Sequence, residues 1–82
     1  MEYKDNFEAS SKYSSTCYDD WSERYYCTDL YYYESRELLD KALESIKAYS
    51  AKLYNYADVR VIENPIDTDY PWAVAVETYM EA

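Results

Sequence analysis

The chain has 82 residues, with 17 acidic and 8 basic side chains, a net charge of −9, no glycine, no histidine and two cysteines. That length holds one domain with a thin core and no room for a deep cleft between lobes. The charge disfavours bare nucleic acid and anionic membrane as direct partners, the missing glycine removes phosphate-cradling loops and dinucleotide fingerprints, and the missing histidine removes the commonest general base and most zinc sites.

Residues 1–11 read as either a loose arm or an extra edge strand. The opening MEYKDNFEASSK lacks the apolar stretch of a signal peptide. The longest apolar run, WAVAV, is far short of the ~20 residues of a membrane span. A cytoplasmic chain is therefore expected.

Next come SKYSSTCY (11–18) and WSERYYCTDLYYY (21–33), rich in Tyr, Thr and Cys as strands are. They turn through Asp19 and Asp20, or through a longer loop that includes Trp21 to Glu23. A turn centred near Ser22 sets Cys17 opposite Cys27 and Tyr18 opposite Tyr26. The two thiols then either bond across the hairpin or stay reduced, and reduced thiols are the plainer expectation for an intracellular chain.

The segment SRELLDKALESIKAYSAKLYN places Leu39, Ala42, Leu43, Ile46, Tyr49 and Leu53 at spacings of three and four, one face of a helix. Ser35 is its expected N-cap and Glu37 lies in its first turn. Lys47 and Lys52 sit toward its end, and Asn55 can stop it in a left-handed conformation. Glu37 and Lys41 are spaced as an i,i+4 ion pair.

DVRVIE (58–63) is a short β-branched run, NPIDTDYP reads as a loop, and WAVAVETYM (72–80) alternates Trp72, Val74 and Val76 against Ala73, Ala75 and Glu77. These form a second hairpin. The expected fold is one α+β domain over residues 1–82, with elements in the order β-β-α-β-β. A mostly antiparallel four-stranded sheet carries one helix packed on one face.

One helix leaves the other sheet face uncovered, and thirteen of the sixteen aromatic residues are tyrosine. Tyrosine suits such a boundary, because its ring buries while its hydroxyl stays wet. Charge is uneven too. Residues 1–35 hold eight acids and three bases, residues 36–54 three acids and four bases, and residues 55–82 six acids and one base. The negative field belongs to the strands and loops. Rings mixed with carboxylates suit a cationic groove, since carboxylates pair with Lys and Arg, and Arg stacks on tyrosine. Candidate contacts are Asp19, Asp20, Glu23, Asp29 and Glu34, with Tyr25, Tyr26, Tyr31 and Tyr32 as ring anchors. Asp67, Asp69 and Tyr70 in the second hairpin loop complete the set.

In size, charge and aromatic content the chain resembles the phage-encoded DNA-mimic inhibitors of the anti-restriction and anti-CRISPR classes. That resemblance implies a protein without enzymatic activity that occupies the basic groove of a nucleic-acid-binding protein or complex. The alternative is a structural or regulatory module that self-associates through its tyrosine-rich sheet face. A homodimer is compatible with both.

Other chemistry fits less well. Two cysteines do not close a zinc site, and neither has an imidazole partner for nucleophilic work. The pairs Asp19–Asp20 and Asp67/Asp69 lack the burial that would split their acidities for acid–base catalysis. DTD at 67–69 begins like a calcium loop, but the required glycine is missing and Pro71 stands at a ligand position. RYYCTDLYYY invites comparison with RNA-binding sheets, yet its neighbours are Glu23, Asp29 and Glu34, where those sheets carry basic residues and glycine. No cofactor, metal or catalytic residue is expected.

Overall fold

The computed structural model describes residues 7–53, 56–66 and 68–81. Its elements are β1 (Ser11–Asp19), β2 (Arg24–Tyr33), α1 (Arg36–Leu53), β3 (Tyr56–Glu63) and β4 (Trp72–Glu81). The strands form one sheet in the order β1-β2-β4-β3, with every neighbouring pair antiparallel. β2 and β3 thus run the same way, but β4 lies between them. The helix connection steps over one strand. The reason is hydrophobicity: Ala73, Val74, Ala75 and Val76 are all buried, and a strand apolar on both faces belongs in the middle of a sheet. Among the described residues no helix is long and apolar enough to cross a membrane.

The helix forms where the periodicity places it. Ser35 caps it, its Oγ accepting from the Leu38 N–H at 3.2 Å. Leu39, Ala42 and Ile46 are buried, and they join Tyr31, Tyr33, Val74 and Val76 in the core, with Leu43, Val59 and Trp72 packed at its margin. Among the described residues the ion pair on its surface is Arg36–Asp40, 2.8 Å and i,i+4, in place of the anticipated Glu37–Lys41. Arg36 also lies over the Trp72 ring, 5.0 Å from its centroid, so the first helical turn is tied to the start of β4. The Leu53 side chain and Asn55 lie outside the described residues. The helix contacts β4, β3 and β2 but not β1.

Of residues 1–11, residues 1–6 lie outside the described residues, residues 7–10 form no strand, and Ser11 opens β1. Residues 7–10 pack the core where the helix does not reach. Ala9 is buried, and the Phe7 ring stands edge-on to Tyr31 at 5.3 Å and to Tyr49 at 5.7 Å. The Tyr33 hydroxyl donates to the Phe7 carbonyl at 3.0 Å. Burial, reinforced by the nearby Glu8 charge, pushes the Tyr33 phenol from 10.0 up to about 12. The folded chain holds this proton more tightly than the unfolded chain does. The resulting stability is complete below the unfolded value and is lost as pH rises through the folded one. Tyr33→Phe is therefore expected to lower neutral-pH stability by about 1 kcal/mol. It should also flatten the decline expected of the native chain between pH 10.0 and about 12, as urea unfolding across that range would read.

The first hairpin corrects one expectation. Cys17 lies opposite Tyr26, and Tyr18 opposite Tyr25, one residue away from the anticipated pairing. A one-residue change moves side chains to opposite faces. Cys17 and Cys27 therefore point away from each other, and both are free thiols. The cause is the loop at 20–23. The Glu23 N–H donates to the Asp19 carbonyl at 2.8 Å, and the Asp19 carboxylate accepts from the Ser22 hydroxyl at 2.8 Å, the Ser22 N–H at 3.3 Å and the Trp21 N–H at 3.4 Å. Closing this loop puts Glu23 at φ 57°, a left-handed position that a glycine would take without steric cost. Glu23→Gly is expected to stabilise the fold by up to about 1 kcal/mol, read as a higher urea midpoint at unchanged slope.

Candidate functional site

The pairing registers assign every strand residue to a face. Tyr31, Val74 and Val59 face the helix, and so do Lys12, Ser14, Thr16, Tyr18, Tyr25, Cys27 and Asp29. The open face carries Tyr13, Cys17, Asp19, Arg24, Tyr26, Leu30, Tyr32, Ala73, Ala75, Glu77, Tyr79, Arg60 and Asp58. Its charges are mixed. Arg60 bridges Asp58 and Glu77, each at 3.3 Å, and Arg24 lies 4.3 Å from the centroid of the Tyr79 ring. The flat centre of the sheet is therefore not the anionic plane that composition suggested.

Of the described sheet and hairpin-loop carboxylates that form no ion pair, all but Asp29 lie instead at the two ends of the sheet. One end is the tip of the β1–β2 hairpin. Trp21 is 95% exposed there, between exposed Asp20 and Glu23. The stem behind it carries two exposed ring groups, one on each face. Tyr18 and Tyr25 lie with centroids 5.0 Å apart, while Tyr26 is 5.9 Å from Tyr79 and 3.4 Å from the Ser22 hydroxyl. The hydrogen bonds to Asp19, from the Ser22 hydroxyl first, hold its carboxyl below the usual carboxylate range. Its charge is kept, but its oxygens already serve the turn.

The opposite end holds exposed Glu34 and Asp69 beside the β3–β4 loop, closed by the Asn64 N–H donating to the Pro71 carbonyl at 2.8 Å. Tyr70 folds from that loop onto the open face and stacks on Tyr32 at 6.0 Å. Ile66 is exposed in the same loop.

The anticipated contacts are thus divided. Asp19, Asp20, Glu23, Tyr25 and Tyr26 converge at the tip. Glu34, Asp69 and Tyr70 lie at the far end, and Asp67 lies outside the described residues. Asp29 sits between the ends, its carboxylate accepting from the Ser14 hydroxyl at 2.6 Å. Tyr31 and Tyr32 cannot serve as ring anchors, because they are 5% and 9% exposed. Tyr31 faces the helix and fills the core, whereas Tyr32 faces the open side, where Tyr70 stacks on it. Trp21, Tyr13 and Tyr18 are also exposed and lie outside the anticipated set. Trp21 had a readable signal: a tryptophan inside DDWSE, a turn sequence, has no sheet to bury it. Among the described residues no group of three or more Cys, Asp or Glu side chains converges as metal ligands. Comparison with known protein families, with curated proteins and with solved structures finds no match for this chain.

Proposed function

We propose that this chain is a small acidic protein-binding inhibitor that blocks the basic groove of a nucleic-acid-binding protein or complex, by mimicry of the anti-restriction or anti-CRISPR kind. The hairpin tip is the part that enters. The observation that carries the reading is Trp21, almost wholly exposed between Asp20 and Glu23 at the tip of a hairpin whose outer strand the helix does not contact. A solvent-exposed tryptophan has no role in folding stability at this position. Tryptophan is, however, the side chain most often found at the energetic centre of protein interfaces. Flanking carboxylates steer it toward cationic surfaces and pair with the Lys and Arg that would otherwise hold phosphates. No chemistry on a substrate is assigned to the chain.

The test is affinity purification with the whole chain from cells carrying nucleic-acid-processing complexes, followed by titration of the captured complex with salt and with DNA. Binding should weaken steeply as salt rises, and DNA should displace the chain competitively. Binding indifferent to both would reject groove blocking.

A further inference from the structure

We propose that β1 is a self-association edge, on which β1 of a second copy adds antiparallel to give one continuous eight-stranded sheet. Three observations carry this, none of which depends on the groove reading.

The first is the edge itself. Among the described residues β1 is the outermost strand. It pairs with β2 through all nine positions from Ser11 to Asp19 without a bulge, and its side chains from Lys12 to Tyr18 are exposed. A strand edge of this length is a template for another strand, and proteins normally blunt it with proline, bulges, a covering helix or several charges. β1 has no proline and, among the described residues, no bulge and no helix contact. The other edge, β3, carries Asp58, Arg60 and Glu63 and packs against the helix.

The second observation is charge. Two chains of net charge −9 repel at most approaches. β1 carries Lys12 and Asp19 alone, one of each sign, so repulsion is least along this strand.

The third is register. An antiparallel pair of identical edges requires a two-fold axis perpendicular to the sheet, so opposed residues must come from the same face. Centring the axis on Ser15 overlaps the full strand and meets that condition at every position. Lys12, whose ammonium lies 5.2 Å from the centroid of its own Tyr31 ring, comes opposite Tyr18 of the second copy on the helix side. Ser14 comes opposite Thr16 there. On the open face, Ser11 meets Asp19 and Tyr13 meets Cys17. A slip of one residue would oppose side chains from different faces.

The experiment places a reporter on the axis. Ser15→Cys, in a chain also carrying Cys17→Ser and Cys27→Ser, puts two thiols directly opposite each other. Cross-strand Cα separations of about 4.5 to 5.5 Å lie within disulfide range. Mild oxidation should convert most of this chain to a covalent dimer, whereas Ser45→Cys in the same background, on the exposed helix surface, should stay monomeric. Sedimentation of the native chain should show a dimer that tightens as salt screens the like charges, opposite to the salt response expected of groove binding. Ser14→Lys with Thr16→Lys, which sets four ammonium groups together across the axis, should return it to monomer with an unchanged circular dichroism spectrum. Equal oxidation of the Ser15→Cys and Ser45→Cys chains, or a native chain that sediments as a monomer at every concentration and salt, overturns the proposal.

Discussion

Leu39→Ala is expected to cost about 3 kcal/mol of folding stability and to lower the melting temperature by more than about 10 °C, while Leu38→Ala shifts it by only a few degrees. The two leucines are adjacent, identical in chemistry and in the same helical turn. Leu39 is 0% exposed and Leu38 41%. Truncating a buried leucine loses its transfer free energy and leaves a cavity. Leu39 packs in a core shared with Ile46, Tyr33 and Val74, drawn from a helix and two central strands that cannot close independently. A domain of this size is stable by only about 4–12 kcal/mol, so the loss is a large share of the total. Thermal unfolding of both variants by circular dichroism checks this. Equal shifts would mean that the helix does not dock with the face assigned here.

Leu39 is also where the sequence was most informative. Period-3.6 spacing selected Leu39, Ala42 and Ile46 and passed over Leu38, because a helix has one contact stripe and polar neighbours mark its limits. Ser35 was legible for a similar reason: few residues accept a backbone N–H at a helix start. The tyrosines were not legible. In RYYCTDLYYY every ring has the same amphipathic character, so no contrast between faces tells the buried from the exposed. Tertiary neighbours decide: Tyr31 and Tyr33 join the helix in the core, and Tyr70 stacks on Tyr32 on the opposite face. Tyr31, Tyr32 and Tyr33 are buried, whereas Tyr25 and Tyr26, at the other end of the same strand, are exposed. The register of the first hairpin was hidden by its loop. Left-handed backbone is usually announced by glycine or asparagine, and here Glu23 adopts it. Counting a symmetric turn about Ser22 then misses by one residue, and the facing of both cysteines changes with it.

At the hairpin tip, Trp21→Ala is expected to weaken binding to a captured partner by at least about 30-fold, equivalent to about 2 kcal/mol, with no change in melting temperature. The side chain is 95% exposed, so its removal opens no cavity and breaks no core contact. Only a partner that buries the ring registers its loss. Asp20→Lys with Glu23→Lys should act differently. Reversing two carboxylates that steer the approach slows association and reduces or inverts the salt dependence. Glu34→Lys with Asp69→Lys reverses the same number of charges at the opposite end of the sheet. If the tip enters the groove, this second pair lowers affinity less than the first, because its charges act only through the long-range field, which screening reduces at physiological salt. Association and dissociation rates for all three variants, measured at two salt concentrations, separate the alternatives. A tip that binds through Trp21 shows its loss mainly in dissociation and the loss of Asp20 and Glu23 in association. Equal effects from the two charge reversals, with none from Trp21→Ala, would mean that net charge alone attracts the partner and that the hairpin has no docking role.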